Sequence, residues 1–203
     1  MISILRDLGR GEVVDLSPVS GGCIAQARIA TFRDGSRVFL KTAQNAQGMF
    51  ECEAKGLTAI ASANAIRTPR VLRVSRHALV LEVIFSGHRH PEFFEIFGRQ
   101  FARLHACHGP YHGFGSDNFI GSTPQLNEPI GRGDDWVEFF MERRLRYQLD
   151  LAEQNGHGSE LRRLLDRSEA VVVGVLAASP EAPSLLHGDL WGGNFMVDEQ
   201  GLP

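Results

Sequence analysis

One stretch constrains this chain more than any other: Leu185-Leu186-His187-Gly188-Asp189-Leu190-Trp191-Gly192-Gly193-Asn194-Phe195. A carboxylate and a carboxamide stand here on one short loop, with a histidine just ahead of them. Gly188, Gly192 and Gly193 let the backbone take tight conformations that other residues resist. A loop of this kind can aim two unlike groups at one point. Asp189 can take or orient the proton of a hydroxyl, and the amide oxygen of Asn194 can hold a magnesium ion. The plainer alternative is a glycine-rich turn in which Asp and Asn only form the bend.

The chain has 203 residues, of which 43% are hydrophobic and 22% charged. That is enough for one two-lobed domain or two small ones. A formal net charge of -3 argues against a nucleic-acid-binding surface. No apolar run approaches the roughly 20 residues that span a bilayer. Met1-Ile2-Ser3-Ile4-Leu5-Arg6 lacks the pattern of a secretory signal. Cys23, Cys52 and Cys107 make no even disulfide framework, so a reducing cytoplasm is the expected compartment.

Upstream of the loop the chain opens with strand signals. Val14 and Leu16 lead into a turn, residues 27–32 alternate, Arg33-Asp34-Gly35 turns, and residues 37–41 form the next strand. Gly21 and Gly22, followed by Cys23, fall at the tip of the first hairpin. A phosphate-covering loop needs such glycines, because their N–H groups approach phosphate oxygens closely. The full Gly-x-Gly-x-x-Gly pattern is absent, and an ordinary hairpin turn explains the pair as well. Lys41 shares a strand face with Phe39. A lysine on an apolar face is costly unless its ammonium meets an anion. Residues 48–63 read as a helix with Phe50, Ala54, Leu57, Ile60 and Ala61 as its apolar stripe. Glu53 falls on that stripe, which makes it the natural partner of Lys41. Kinases use such a pair to hold a strand lysine on the α and β phosphates.

Residues 69–74 and 77–84 are two further strands. In a kinase architecture Glu82 to Ile84 would be the hinge, where backbone meets the adenine edge; a core strand running into a loop fits equally. Phe94, Phe97, Phe101 and Leu104 make a helical stripe over residues 92–105. His105, Cys107, His108 and His112 fit no standard zinc spacing and read as helix-end residues. Residues 113–125 form a long Gly/Asn/Ser loop. Asp134 or Asp135 caps a helix running to about Ala152 with Trp136, Phe140 and Tyr147 facing inward. Arg143 and Arg144 on it read as surface or salt-bridged. Leu161, Leu164, Leu165, Val172, Val175 and Leu176 stripe a last helix, ended by Pro180 and Pro183.

His187-x-Asp189-x-x-x-x-Asn194 has the spacing of a kinase catalytic loop. Lys41, Glu53 and this loop also occur in kinase order. With Phe50-Glu51-Cys52-Glu53-Ala54, residues 114–125 and residues 134–140, the chain resembles the fructosamine/ketosamine-3-kinase family, a branch of the aminoglycoside-phosphotransferase-like kinases. The family's loop is close to Leu-Leu-His-Gly-Asp-Leu-Trp-Ser-Gly-Asn, and this chain departs from it at Gly192. The resemblance covers essentially all of residues 14–203.

The resemblance implies an α+β, two-lobed protein-kinase-like fold. Residues 1–84 would be an N-lobe with an antiparallel sheet and one helix, and residues 85–203 a mostly helical, incomplete C-lobe. It implies phosphate transfer from ATP, with Mg2+, to a sugar hydroxyl of small-molecule or protein-bound ketosamines, which releases the amine and repairs glycation. In that scheme Asp189 is the base, Asn194 the metal ligand, Lys41 the phosphate anchor and Glu53 its orienter. Gly21, Gly22 and Cys23 cover the phosphates, and Glu82 and Ile84 frame the adenine. No nucleic-acid or membrane partner is expected. Cys23, at an exposed loop tip, is expected to join two chains in a redox-dependent homodimer. The rivals are an aminoglycoside- or choline-type kinase and a non-catalytic nucleotide-binding fragment.

The family also carries an aspartate in an Asp-Pro-Ala segment on the strand that follows the loop hairpin. Gly201-Leu202-Pro203 falls in the middle of that hairpin, and Asp198 reads as a turn former. Residues 1–203 are therefore expected to be a truncated kinase that transfers phosphate poorly. Sequencing downstream of codon 203 should show an in-frame aspartate within about ten residues, following the kinase order of loop and metal aspartate. A continuation with no acidic residue there would sink the active-kinase expectation.

Overall fold

The computed structural model describes residues 2–19, 25–46 and 48–203. Its N-terminal part is a five-stranded antiparallel sheet. The strands are β1 (Val13–Pro18), β2 (Gln26–Phe32), β3 (Arg37–Thr42), β4 (Val71–Ser75) and β5 (Ala78–Glu82), in the order β1-β2-β3-β5-β4. The β2–β3 turn is tight because Gly35 takes φ 82° and its N–H returns to the Phe32 carbonyl at 2.9 Å. Asp34 caps the turn by accepting from the Ser36 N–H at 2.8 Å.

Strand alternation divides the sheet between two apolar clusters. Ala30, Phe32, Val38, Leu40, Ala78 and Val80 pack with Ile4 and Leu5 of α1 (Ile2–Arg6). Leu79, Leu81 and Phe39 pack on the opposite face with Phe50, Ala54 and Leu57 of α2 (Met49–Ser62). The sequence gives this region a single helix. The structure adds α1, which at five residues is too short to show a helical period.

The segment α3 (Phe93–His105) corrects its expected stripe by one residue. Phe93, Phe97 and Leu104 are buried, whereas Phe94 is 61% exposed and lies under the Arg89 guanidinium at 5.0 Å. The chain divides into two compact units, Met1–Cys107 with Leu186–Pro203, and His108–Leu185.

In the second unit the expected long loop contains a small hairpin, β6 (Asn118–Ile120) and β7 (Thr123–Gln125). Asp135 caps α4 (Trp136–Phe140) by accepting from the Glu138 N–H at 2.9 Å. Helical structure continues through a π-helical segment, Met141–Arg146, into α5 (Tyr147–Gln154), and α6 (Gly158–Ala177) follows. Phe139, Met141 and Leu149 are the buried apolar residues here, while Trp136, Phe140 and Tyr147 are only half-buried.

Arg144 is neither a surface residue nor one half of a simple salt bridge. Its guanidinium lies 4.9 Å from the Phe139 ring centroid and donates to the Leu126 carbonyl and, at 2.6 Å, to Asn127 Oδ1. Burial lowers its pKa, opposed by the charge of Asp117. Asp117 Oδ1 in turn accepts from the N–H groups of Asn127 and Glu128 at 2.6 and 3.1 Å. One internal cation thus organises the segment that follows β7. Arg144→Met should cost about 2–3 kcal/mol in urea denaturation, because it strands the buried Asn127 acceptor and the half-buried Leu126 carbonyl. Arg144→Lys should recover little, since an ammonium lacks the planar fork. A loss under about 0.5 kcal/mol, the size of an ordinary surface substitution, would refute this role.

Candidate active site

The loop of residues 185–195 is shaped by its own side chains. Gly188 takes φ 83°, a left-handed conformation that favours glycine. This bend lets the Asp189 N–H donate to Nδ1 of His187 at 3.3 Å. Further along, the Asn194 N–H closes a turn onto the Trp191 carbonyl at 2.8 Å. The Asn194 amide donates to the Asp189 carbonyl at 2.8 Å and to Asp189 Oδ2 at 2.9 Å. The carboxamide NH2 is therefore fully used on Asp189, and Asn194 Oδ1 faces the other way. Among the described residues neither Asp189 Oδ1 nor Asn194 Oδ1 takes a hydrogen bond, and both residues are exposed. That leaves Asp189 Oδ1 open to a hydroxyl proton and Asn194 Oδ1 as a hard oxygen that suits a magnesium ion, which keeps waters and phosphate oxygens as its other ligands.

The glycines after Trp191 have different reasons. A Cβ on Gly193 would fall 2.5 Å from the Trp191 indole, so a larger residue would have to displace that exposed ring. A Cβ on Gly192 would meet nothing within 4 Å. The serine of the family loop would therefore fit, and the departure at this position costs no packing. Phe195 anchors the loop on α3, its ring centroid 4.9 Å from that of Phe97 and 6.0 Å from that of Phe93.

Lys41 and Glu53 meet. Lys41 Nζ donates to Glu53 Oε1 at 2.8 Å and Oε2 at 2.9 Å. β3 puts Lys41 on the Phe39 face, and α2 puts Glu53 between Phe50 and Leu57, which pack on that same face. Both side chains remain about one-third exposed, at 30% and 34%. A pair so open adds little stability. Its effect is to aim the ammonium, which keeps a third N–H for another anion.

Glu82 and Ile84 part company at the end of β5. The Glu82 N–H donates to the Arg70 carbonyl at 2.9 Å, so it is not free for a ligand. Its carboxylate accepts from Arg70 Nε at 3.0 Å and from Arg67 Nη2 at 3.5 Å. Burial pushes this carboxyl up, but the Arg70 hydrogen bonds and the two guanidinium charges hold it below its ordinary value. Ile84 lies beyond the last ladder residue. Gly21, Gly22 and Cys23 lie outside the described residues.

Two residues matter more than their sequence context shows. Asp198 does form the expected turn, with Oδ1 accepting from the Gln200 and Leu202 N–H groups at 2.9 Å each. Its other oxygen accepts from Arg67 Nη1 at 2.8 Å. No local pattern joins two residues 131 positions apart.

The family model described as fructosamine kinase matches residues 3–203. The chain is 34% identical over 212 residues to the chloroplastic protein-ribulosamine 3-kinase of Oryza sativa subsp. japonica, covering 98% of this chain and 59% of the relative. It is 35% identical over 217 residues to the protein of the same description from Arabidopsis thaliana, covering 98% of this chain and 62% of the relative. The chain thus spans about three-fifths of the length of these curated relatives. A crystal structure from Thermobifida fusca, assigned as a fructosamine-3-kinase, aligns with TM-score 0.81 at 26% identity, over 97% of this chain and 69% of that one. No described helix is long and apolar enough to cross a membrane. With a family match over nearly every residue and a shared kinase-like α+β fold, this chain belongs to the fructosamine kinase family.

Proposed function

We propose that this chain carries the nucleotide site and catalytic loop of a kinase that phosphorylates a sugar hydroxyl of ketosamines, with ATP as donor. The clamp of Asn194 on Asp189 is the observation that carries this reading. With Oδ2 tied to Asn194, Asp189 has one acceptor oxygen left for the substrate hydroxyl's proton. Lys41, aimed by Glu53, receives the α and β phosphates. Gly21, Gly22 and Cys23 cover them. Ile84 supplies backbone for the adenine edge, while Glu82, tied to Arg70 and Arg67, fixes the strand end behind it. Asn194 Oδ1 would hold Mg2+, which when bound neutralises charge on the transferred phosphoryl group. Residues 1–84 act as the N-lobe and 85–203 as the C-lobe portion. The family relatives named ribulosamine 3-kinase and fructosamine-3-kinase support a ketosamine as acceptor and its 3-hydroxyl as the site.

The test uses the product of the complete reading frame, ATP with magnesium, and a fructosyl- or ribulosyl-amine, with mass spectrometry of the sugar. A phosphorylated sugar is expected. Asp189→Asn should cut turnover by about 10²-fold or more, with ATP affinity nearly unchanged. Lys41→Met should instead weaken ATP handling. Asp189→Asn turnover within a few-fold of wild type would overturn the loop assignment. ATP binding with no sugar product would overturn the kinase reading.

The same proposal places the protein in the cytoplasm, where Cys23 serves as a redox handle. Two Cys23 thiols give up two electrons and two protons to one hydrogen peroxide, leaving a disulfide-linked dimer and two waters. Non-reducing electrophoresis after mild peroxide should show this dimer in wild type and not in Cys23→Ala. Equal dimer in both would exclude Cys23.

A further inference from the structure

We infer that Arg67 and Asp198 form a strap that holds the catalytic loop in register with the helix bearing Glu53, so that both are positioning residues. The consequence for catalysis rests on the kinase reading above; the strap itself rests on geometry.

Asp198 is only 5% exposed. A turn of this shape needs one acceptor oxygen, which an asparagine supplies as well as an aspartate. A buried charge adds cost without improving the turn, unless something pairs with it. Arg67 is that partner, at 2.8 Å. The same guanidinium reaches Glu199 and Glu82 at 3.5 Å each. Burial pushes the Asp198 carboxyl up, yet the Leu202 N–H and Arg67 outweigh it and hold the carboxyl below its ordinary value.

The two ends of the strap are well placed. Arg67 lies in the linker between α2 and β4, just past the helix that carries Glu53. Asp198 follows Asn194 closely, and Phe195 between them is packed on α3. The turn also sits tightly on the segment after β5. The Gly87 N–H donates to the Val197 carbonyl at 3.3 Å, and the His90 N–H to the Gly201 carbonyl at 3.0 Å. A Cβ on Gly87 would fall 2.5 Å from the Asp198 carbonyl oxygen, and one on Gly201 2.5 Å from that of His88. The chain after Asn194 is therefore held against the end of β5 and against the α2–β4 linker. The ion pair thereby ties the segment after Asn194 to the linker that follows the helix bearing Glu53.

Hydrogen exchange with mass spectrometry tests the strap directly, alongside steady-state kinetics. The variants are Arg67→Gln, Asp198→Asn and the double. Asparagine keeps the turn acceptor and removes only the charge. Each single variant should speed exchange over residues 186–196 about tenfold, while β3 and β5 stay protected. The double should match Arg67→Gln, because Asp198→Asn removes a pair that the Arg67 change has already broken. kcat should fall about tenfold with the KM for ATP within about twofold, and Arg67→Lys should restore part of it. Should Arg67→Gln not fold, Asp198→Asn carries the test by itself. Faster exchange confined to residues 197–202, or effects that add in the double, would overturn the strap. If wild type transfers no phosphate, the kinase reading fails while the exchange data still decide the strap.

Discussion

The structure depends on the two-residue period of β3. Val38 and Leu40 point into the cluster closed by α1, and Phe39 points into the one closed by α2. A strand buried on both faces has no freedom to slip, because a shift of one residue would exchange the two sets. Lys41 inherits that rigidity. It sits at the end of the face that α2 covers, and its ammonium must meet whatever carboxylate the helix offers there. The apolar packing thus decides the position of the charge. An ion pair about one-third exposed could not by itself hold the lobe together.

The catalytic loop shows a different division of labour. Its internal bonds, from Asp189 to His187 and from Asn194 to Asp189, are all short-range and lie near the surface. Exposed bonds of this kind exchange readily with water. Apolar packing adds to the hold at the loop's end, where Phe195 meets Phe93 and Phe97. Local polar geometry and distant apolar anchorage are combined, as fits a loop whose polar groups must stay available to a substrate.

The parts of the site that are legible in the sequence are those governed by a single period. Strand alternation finds the face of Lys41, and helical spacing puts Glu53 on the stripe of Phe50 and Leu57. The aromatic run around α3 is harder, because adjacent phenylalanines at 93 and 94 leave the helical phase ambiguous by one residue, and the inward ring is Phe93. The Arg144 contact to Asn127 and the Arg67 contact to Asp198 have no period at all. Each joins a cation to an acceptor elsewhere along the chain, and only the folded chain brings them together. The hinge is partly legible: the strand end is visible, but the use of the Glu82 N–H by Arg70 depends on the pairing with β4.

The indole over Gly193 has a spectroscopic consequence. The chain contains two tryptophans, Trp136 and Trp191, and they fall in different compact units. Trp191 is 63% exposed and rides on the loop between Asp189 and Asn194. Trp136 is half-buried against His112, Phe139 and Phe140, at centroid distances of 5.4, 6.1 and 5.3 Å. The two fluorophores therefore sense unlike surroundings, one watery and one aromatic. Their emission should therefore differ in wavelength and in access to a soluble quencher, which gives each unit its own built-in optical label.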